Sequence, residues 1–331
     1  MSRYLIRRLL QMIPLVVGLS VLIFLLLAAA PGDPVDLLVF GNPNIKPEDV
    51  ARLKRLYGLD QPLYIRYFKW LWAALHGDLG YSQVYKVPVL TLMWDRVGNS
   101  LWLQIPAFFL SLAVAVPVGI YSALHQYSTA DYIATFLTFF GVSIPAFWFG
   151  IMMIYLFAVW HPWTALPGLD WLRLPAGGFS TPGITRGLAL YLDRLRYMLL
   201  PTIVLSLLFM ASYTRYTRSS MLEVIRQDYV RTARAKGLAE QVVVTKHALK
   251  NAMIPIVTIV ALSIPALFAG APLTETVFGW PGVGRLLVEA VLAADFAVAQ
   301  GIIIFLAALV IVFNLLADIA YALLDPRIRY D

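Results

Sequence analysis

The sequence predicts an all-α integral membrane protein with six transmembrane helices. Three observations carry that expectation. The chain is 60% hydrophobic and 14% charged, against about 25% charge in a typical soluble domain. Apolar stretches long enough to cross the hydrocarbon core at about 1.5 Å per residue recur six times. Basic residues are denser in the segments that six spans would leave on one side, and that side is then expected to be cytoplasmic.

The first span is expected from about Leu9 to Ala30. Arg3, Arg7 and Arg8 precede it and hold its N-terminus inside. Ala28-Ala29-Ala30 could also mark a signal-peptide cleavage site, although the apolar run is longer than a usual signal core. Further spans are expected at Leu101–Leu124, Ile133–Val159, Met198–Thr214, Met253–Ala271 and Gly301–Leu324. Several contain prolines (Pro106, Pro117, Pro145, Pro265). Proline frees a carbonyl and kinks a helix, so it is read either as tolerated in a membrane helix or as bending a path-lining one. Both termini then fall inside. The inside segments carry 13 Lys/Arg in 61 residues and the outside segments 13 in 137. The outer segment at 31–100 is long enough to escape the charge rule.

The chain thus divides into 1–30, the cytoplasmic N-terminus and first span; 31–100, a large extracytoplasmic segment; and 101–331, a five-helix core. In the outer segment, Pro31-Gly32-Asp33-Pro34 breaks the first helix. Lys46–Tyr57 reads as a helix with Pro47 at its first position, Glu48 and Asp49 in the first turn, and Gly58 ending it. Tyr64–Leu75 is amphipathic and aromatic-rich. It reads either as a helix lying in the membrane interface or as an ordinary packed face.

Composition excludes several classes. Without cysteine there is no disulfide framework, thiolate metal site or catalytic thiol. The net charge of +7 fits a cytoplasmic Lys/Arg excess, and no basic, aromatic-interleaved domain suggests nucleic acid. His76, His125, His161 and His247 fall in separate predicted loops, and no hydrolase motif accompanies them. No glycine-rich phosphate loop ending in Gly-Lys-Ser/Thr is present, so any ATP must be bound by another polypeptide. An ion-coupled transporter would need ionisable groups within the spans. Asp318, one turn after Asn314, is the main candidate, and it reads equally as an interfacial cap.

The most informative stretch is Tyr229–Asn251, within a cytoplasmic loop at about 215–252. A helix over Leu222–Lys236 would place Ala233 and Gly237 on one face, leaving a smooth patch for close packing. Arg231, Arg234 and Lys236 suit its negative end. Gly237 can adopt the left-handed conformation that stops a helix. From Glu240 a second segment carries Val242, Val243, Val244, Ala248 and Leu249. Physics alone leaves this unit as either a helix lying on anionic lipid or a docking surface.

This stretch resembles the EAA signature of permease subunits in ABC importers: Glu-Ala-Ala, three residues, Gly, nine residues, then Ile-x-Leu-Pro. Ala233, Gly237 and Leu249 match, with nine residues between Gly237 and His247. Arg231, Thr232, His247 and Lys250 depart from the general signature. They instead resemble the peptide/nickel branch, which Asp228–Gly237 and His247–Asn251 follow closely. The segments Pro31–Pro34, Tyr57–Pro62, Gly77–Gly80 and Glu275–Gly284 also look like the first permease of dipeptide or oligopeptide importers. The resemblance therefore covers nearly the whole chain.

It implies a type I ABC importer permease fold paired with a second, homologous permease. One or two kinds of ATPase subunit, carrying ATP and Mg, would sit beneath, and an extracytoplasmic binding protein would deliver substrate. This chain would bind no cofactor or metal and would catalyse nothing. Its place would be a bacterial or archaeal cytoplasmic membrane, and its cargo di- or oligopeptides, with nickel complexes, glutathione or oligosaccharides as alternatives. By the same resemblance, Asp228, Tyr229, Arg231, Thr232, Ala233, Arg234, Lys236, Gly237, His247, Leu249 and Asn251 are the expected ATPase-coupling residues. In the last outer loop, dense Gly and Pro force tight turns. There Glu275, Phe278, Trp280, Pro281 and Gly282 are the expected contacts with the binding protein at the outer mouth. A re-entrant structural loop is the alternative for that region.

Overall fold

A computed structural model describes residues 2–29, 35, 46–56 and 58–324. The expected turn at 31–34, Tyr57, the tail after Leu324 and the Asp318 side chain lie outside that description. The helices are α1 (Ser2–Ala28), α2 (Pro47–Leu56), α3 (Leu63–Leu75), α4 (Val89–Leu124), α5 (Thr129–Ser143), α6 (Ala146–Trp160), α7 (Gly187–Ile225), α8 (Asp228–Ala235), α9 (Glu240–Phe268), α10 (Pro272–Val277), α11 (Val283–Leu292) and α12 (Phe296–Leu324). Among the described residues five are long and apolar enough to cross a membrane, namely α1, α4, α7, α9 and α12, and the bent pair α5–α6 passes the same test only when taken together, for up to six. No described residue belongs to an extended strand; Tyr81 and Pro88 form one isolated antiparallel bridge.

The chain forms two compact units, one of residues 1–99 with 282–331 and one of residues 100–281. In the first, α1 and α11 pack on α12. A Cβ at Gly301 of α12 would lie 2.8 Å from Val89 Cγ1, so only glycine allows that approach. The α2 boundaries agree with the sequence: Pro47 starts the helix, Glu48 and Asp49 occupy its first turn, and Gly58 takes φ +66° beyond its end. The packed-face reading of α3 is seen on one of its sides. Tyr67 is buried edge-on against Phe24 with ring centroids 5.5 Å apart, and its hydroxyl shares a hydrogen bond of 2.8 Å with Ser20 of α1. Tyr64, Phe68 and Trp72, spaced by four residues, form an exposed aromatic stripe; such rings suit a membrane interface.

The loop before α4 is fixed by buried polar groups. Ser82 Oγ donates to Asp295 at 2.6 Å, and the Tyr85 hydroxyl donates to Glu289 at 2.6 Å. Burial, reinforced by the hydrogen bond to Glu289 and its charge, pushes the Tyr85 hydroxyl up to about 12. Burial also raises Glu289, but hydrogen bonds from Tyr85 and Arg285 outweigh it and leave the carboxyl below its ordinary value.

The second unit is built around α7, against which α5, α6 and α9 pack. At 39 residues and about 1.5 Å per residue, α7 is far longer than a bilayer core. It extends well past the expected Met198–Thr214. Small residues let its neighbours approach. A Cβ at Gly119 of α4 would lie 2.7 Å from Thr217 Cβ, and one at Gly141 of α5 would lie 3.1 Å from Ala211 Cβ. Close backbone approach through small residues is how helices associate where lipid removes the hydrophobic drive.

The expected third span, Ile133–Val159, is not one helix. It breaks between Ser143 and Ala146 with a 100° bend. Pro145 explains the break: it disfavours helical geometry at the preceding residue, and Ile144 is extended at ψ 127°. The prolines inside α4, α7 and α9 leave those helices unbroken.

Candidate coupling site

The loop between α7 and α9 contains a short second helix where one continuous helix over Leu222–Lys236 was expected. α7 ends at Ile225, and Gln227 is extended at ψ 149° before α8 begins at Asp228. Asp228 at the N-terminus and Arg234 near the C-terminus of α8 both suit its dipole. The Thr232 hydroxyl donates to the Asp228 carbonyl at 2.9 Å. Gly237 then takes φ +76°, the left-handed turn expected of it. From Glu240 the chain runs without a break through a π-helical stretch, Val243–Leu249, into the apolar part of α9. His247 therefore lies on a helix rather than in a loop.

Burial sorts the expected residues. Val230 and Ala233, three apart on α8, face inward and pack with Met221, Val243, Ala248, Ala252 and Ala123. Ala233 is thus part of the segment's own core, and Gly237 lies beyond the end of α8. The shared smooth patch expected of Ala233 and Gly237 does not form. Leu249 also packs against this core. Asp228, Tyr229, Arg231, Thr232, Arg234, Lys236, Gly237 and Asn251 are exposed, and His247 is half-buried. The outer face of α8 is therefore polar and basic, while its inner face ties it to α7 and α9.

Three ion pairs lie in and beside the unit, and in the first Arg231 meets Asp228, one turn earlier on α8, at 3.6 Å. Arg234 makes hydrogen bonds of 2.6 and 3.0 Å to the two oxygens of Glu240, bridging the Gly237 turn. The partnership with Glu240 raises the Arg234 guanidinium above its ordinary value. Above the turn, Arg218 on α7 makes a bidentate pair with Asp131 on α5, with contacts of 2.7 and 2.8 Å. The Asp131 carboxylate also accepts from Ser122 and from the Tyr127 N–H, and Ser128 caps α5 by accepting from the Asp131 N–H at 3.2 Å. Ser220 Oγ joins α7 to α9 by donating to the Ala252 carbonyl at 2.7 Å. The α8 unit is thus attached to α7 and α9 through a common core, and α7 is clamped to α5.

Sequence reasoning missed Arg218, Asp131 and Ser122. The spacing Ser128-Thr129-Ala130-Asp131 was a readable helix-start signal. Arg218, which needs a partner inside so apolar a chain, was another.

The expected outer-mouth contacts are corrected. Glu275 and Trp280 are fully buried and Phe278 nearly so. Ser100 Oγ donates to Glu275 at 2.6 Å, and Glu275 also accepts from the Ala271 N–H at the start of α10. Trp280 stacks edge-on with Phe179 and packs among Leu103, Met198 and Leu205. Gly178 donates to the Phe278 carbonyl at 2.7 Å, an approach that Gly177 allows because a Cβ there would collide with that carbonyl. Gly282 is buried at the start of α11 and Pro281 is half-buried. The region is tightly packed, and the Glu275, Phe278 and Trp280 side chains are buried within the chain.

The geometry agrees with comparisons to known proteins. The family described as binding-protein-dependent transport system inner membrane component matches residues 115–330, and the corresponding N-terminal family matches residues 1–104. The chain belongs to this family. It is 42% identical over all 331 residues to the oligopeptide transport system permease protein AppB of Bacillus subtilis, with both chains fully covered. It is 40% identical to the dipeptide transport system permease protein DppB of Escherichia coli K12, covering 100% of this chain and 99% of that one. The DppB of Alkalihalophilus pseudofirmus is 37% identical, with both chains fully covered. As a binding-protein-dependent permease, the chain is a multi-pass transport subunit of an ABC importer and not an enzyme. Such a subunit works with an ATPase and a substrate-binding protein.

Proposed function

We propose that this permease forms, with a second homologous permease, the membrane path of an ATP-driven importer for di- or oligopeptides. The observation that carries the reading is the exposed α8–Gly237 unit joined through its core to two membrane helices, α7 and α9. A partner gripping the outer face of α8 would move spans rather than a loose loop. Full-length similarity to oligopeptide and dipeptide permeases supports peptide as the cargo over nickel complexes, glutathione or oligosaccharides. In this reading ATP and Mg are bound by one or two kinds of ATPase subunit that dock on α8. The binding protein arrives on the other side, and both termini are cytoplasmic.

Arg231, Lys236 and Gly237 form the exposed docking surface with Tyr229, while Ala233 and Leu249 maintain its shape. Arg231 and Lys236 offer charge to acidic groups on the ATPase. The experiment is reconstitution of the permease pair with its ATPases and binding protein in proteoliposomes. Labelled di- and tripeptides should accumulate only with binding protein and hydrolysable ATP. Accumulation driven by an ion gradient without ATP would overturn the reading.

A further inference from the structure

The first unit contains a cavity of about 650 Å³ that the transport reading leaves unused. It lies at the C-terminal end of α1 and the N-terminal end of α12, with α2, α3 and the loop after α3 completing its wall. That volume is within the range of small-molecule sites. Its lining carries both signs of charge. Arg55 comes from α2, Arg66 and Lys69 from α3, and Asp295 and Gln300 from the start of α12.

The polar groups at the start of α12 are incompletely satisfied. Asp295 is 2% exposed. One of its oxygens accepts from Ser82 Oγ at 2.6 Å and from the Val84 N–H at 3.2 Å, while Oδ1 has no hydrogen-bond partner among the described residues. Gln300 is 8% exposed, and its Nε2 likewise has none among them. Asp295 directly precedes α12, and the positive helix end favours a carboxylate there. That field does not supply the missing hydrogen bond, and a buried acceptor left empty is destabilising. On α3, Lys69 donates to the neutral Gln61 side chain at 2.8 Å. Arg66 has no ion-pair or hydrogen-bond partner among the described residues, although it is half-buried. Among the described residues, the cavity therefore offers three cations with no paired anion, Arg55, Arg66 and Lys69, and one buried carboxylate with no paired cation.

We infer that this cavity binds a zwitterion, its anionic oxygens on Arg66 and Lys69 and its primary ammonium on Asp295 Oδ1. Gln300 Nε2 donates to an oxygen between the two ends, as a peptide carbonyl or a phosphate ester provides. A free short peptide and a phosphatidylethanolamine headgroup share this chemistry. Opposite charges at the two ends select against ligands carrying only one of them. The inference does not depend on which solute the importer moves, because it rests on binding rather than transport.

The test uses the full chain with its copurifying subunits in nanodiscs of phosphatidylcholine and phosphatidylglycerol. Isothermal titration with dialanine is compared with N-acetyl-dialanine and dialanine amide, each lacking one charge. Native mass spectrometry is run in parallel on nanodiscs that contain phosphatidylethanolamine. Asp295→Asn removes the carboxylate charge but touches the Ser82 bond. Arg66→Gln disturbs no bond among the described residues and so carries the decision. Dialanine binding that both blocked analogues lose, and that Arg66→Gln weakens at least tenfold, supports the site with a peptide as its ligand. Phosphatidylethanolamine retained by the wild type and released by Arg66→Gln, without dialanine binding, supports it with a lipid. Binding of neither, or binding that Arg66→Gln leaves unchanged, overturns the inference.

Discussion

Replacing Gly237 separates backbone geometry from side-chain volume at the proposed coupling turn. The residue sits at φ +76°, and a Cβ built on it meets nothing within 4 Å. Its N–H donates to the Arg234 carbonyl at 2.9 Å. A side chain therefore fits, and only the backbone resists. Asparagine tolerates the left-handed region and should cost a few tenths of a kcal/mol, whereas alanine should cost about 1 kcal/mol. Proline cannot reach this φ and also removes the donated N–H, so the turn should be lost at about 3 kcal/mol or more. The exposed Arg234–Glu240 pair, at about 0–1 kcal/mol, is too weak to hold the turn against that. About 1 kcal/mol corresponds to roughly a fivefold change in the correctly turned population. The assay is ATPase copurification and binding-protein-stimulated ATP hydrolysis in nanodiscs, normalised to inserted permease. Activity should fall from wild type through Gly237→Asn and Gly237→Ala to Gly237→Pro. The reasoning is refuted if Gly237→Pro keeps normal hydrolysis, or if Gly237→Asn is as damaging as Gly237→Pro.

Three further outcomes follow from the packing. Arg218→Ala strands the buried Asp131 carboxylate and should destabilise the protein by about 3–5 kcal/mol, read as a lowered thermal unfolding midpoint in detergent, with Asp131→Asn in the same background recovering part of the loss. Gly119→Leu forces atoms into Thr217 and should reduce folded yield, whereas Gly98→Leu on the same helix, where a Cβ meets nothing within 4 Å, should express normally in the same fluorescence size-exclusion assay. Glu275→Ala leaves the Ser100 hydroxyl and the Ala271 N–H without this acceptor and should cost about 2 kcal/mol. Its loss of transport should then track loss of folded protein rather than binding-protein affinity, which surface plasmon resonance separates.

The parts of the fold visible in the sequence are those with local causes. Apolar length marked the spans, and Pro47, Gly58 and Gly237 marked the ends of α2 and α8 through φ preferences carried by single residues. The failures share a different cause, since each depended on contacts distant in the chain. Glu275 and Trp280 looked available because loops between spans are usually exposed, yet α10 packs on α6 and α7 and Trp280 packs among Leu103, Met198 and Leu205, which buries both. Ala233 looked like an open small-residue patch because the break at Gln227 rotates α8 in a way that periodicity through Leu222–Lys236 cannot register. The α5–α6 bend had a local signal at Pro145. The same residue type leaves α4, α7 and α9 intact, so only the extended Ile144 in the folded chain distinguishes a break from a tolerated proline. Arg218 and Asp131 lie 87 residues apart, and nothing local pairs them.

The central claim is that the outer face of α8 receives the ATPase. The chain contains no cysteine, so single cysteines can be introduced without removing native ones. Arg231→Cys and Lys236→Cys, each treated with a short bifunctional cross-linker in the assembled transporter, should give a permease–ATPase adduct whose yield changes when ATP is bound. Thr185→Cys, in the loop before α7, should give none. An intact complex that yields no ATPase adduct from either position, while Thr185→Cys does, would contradict the account.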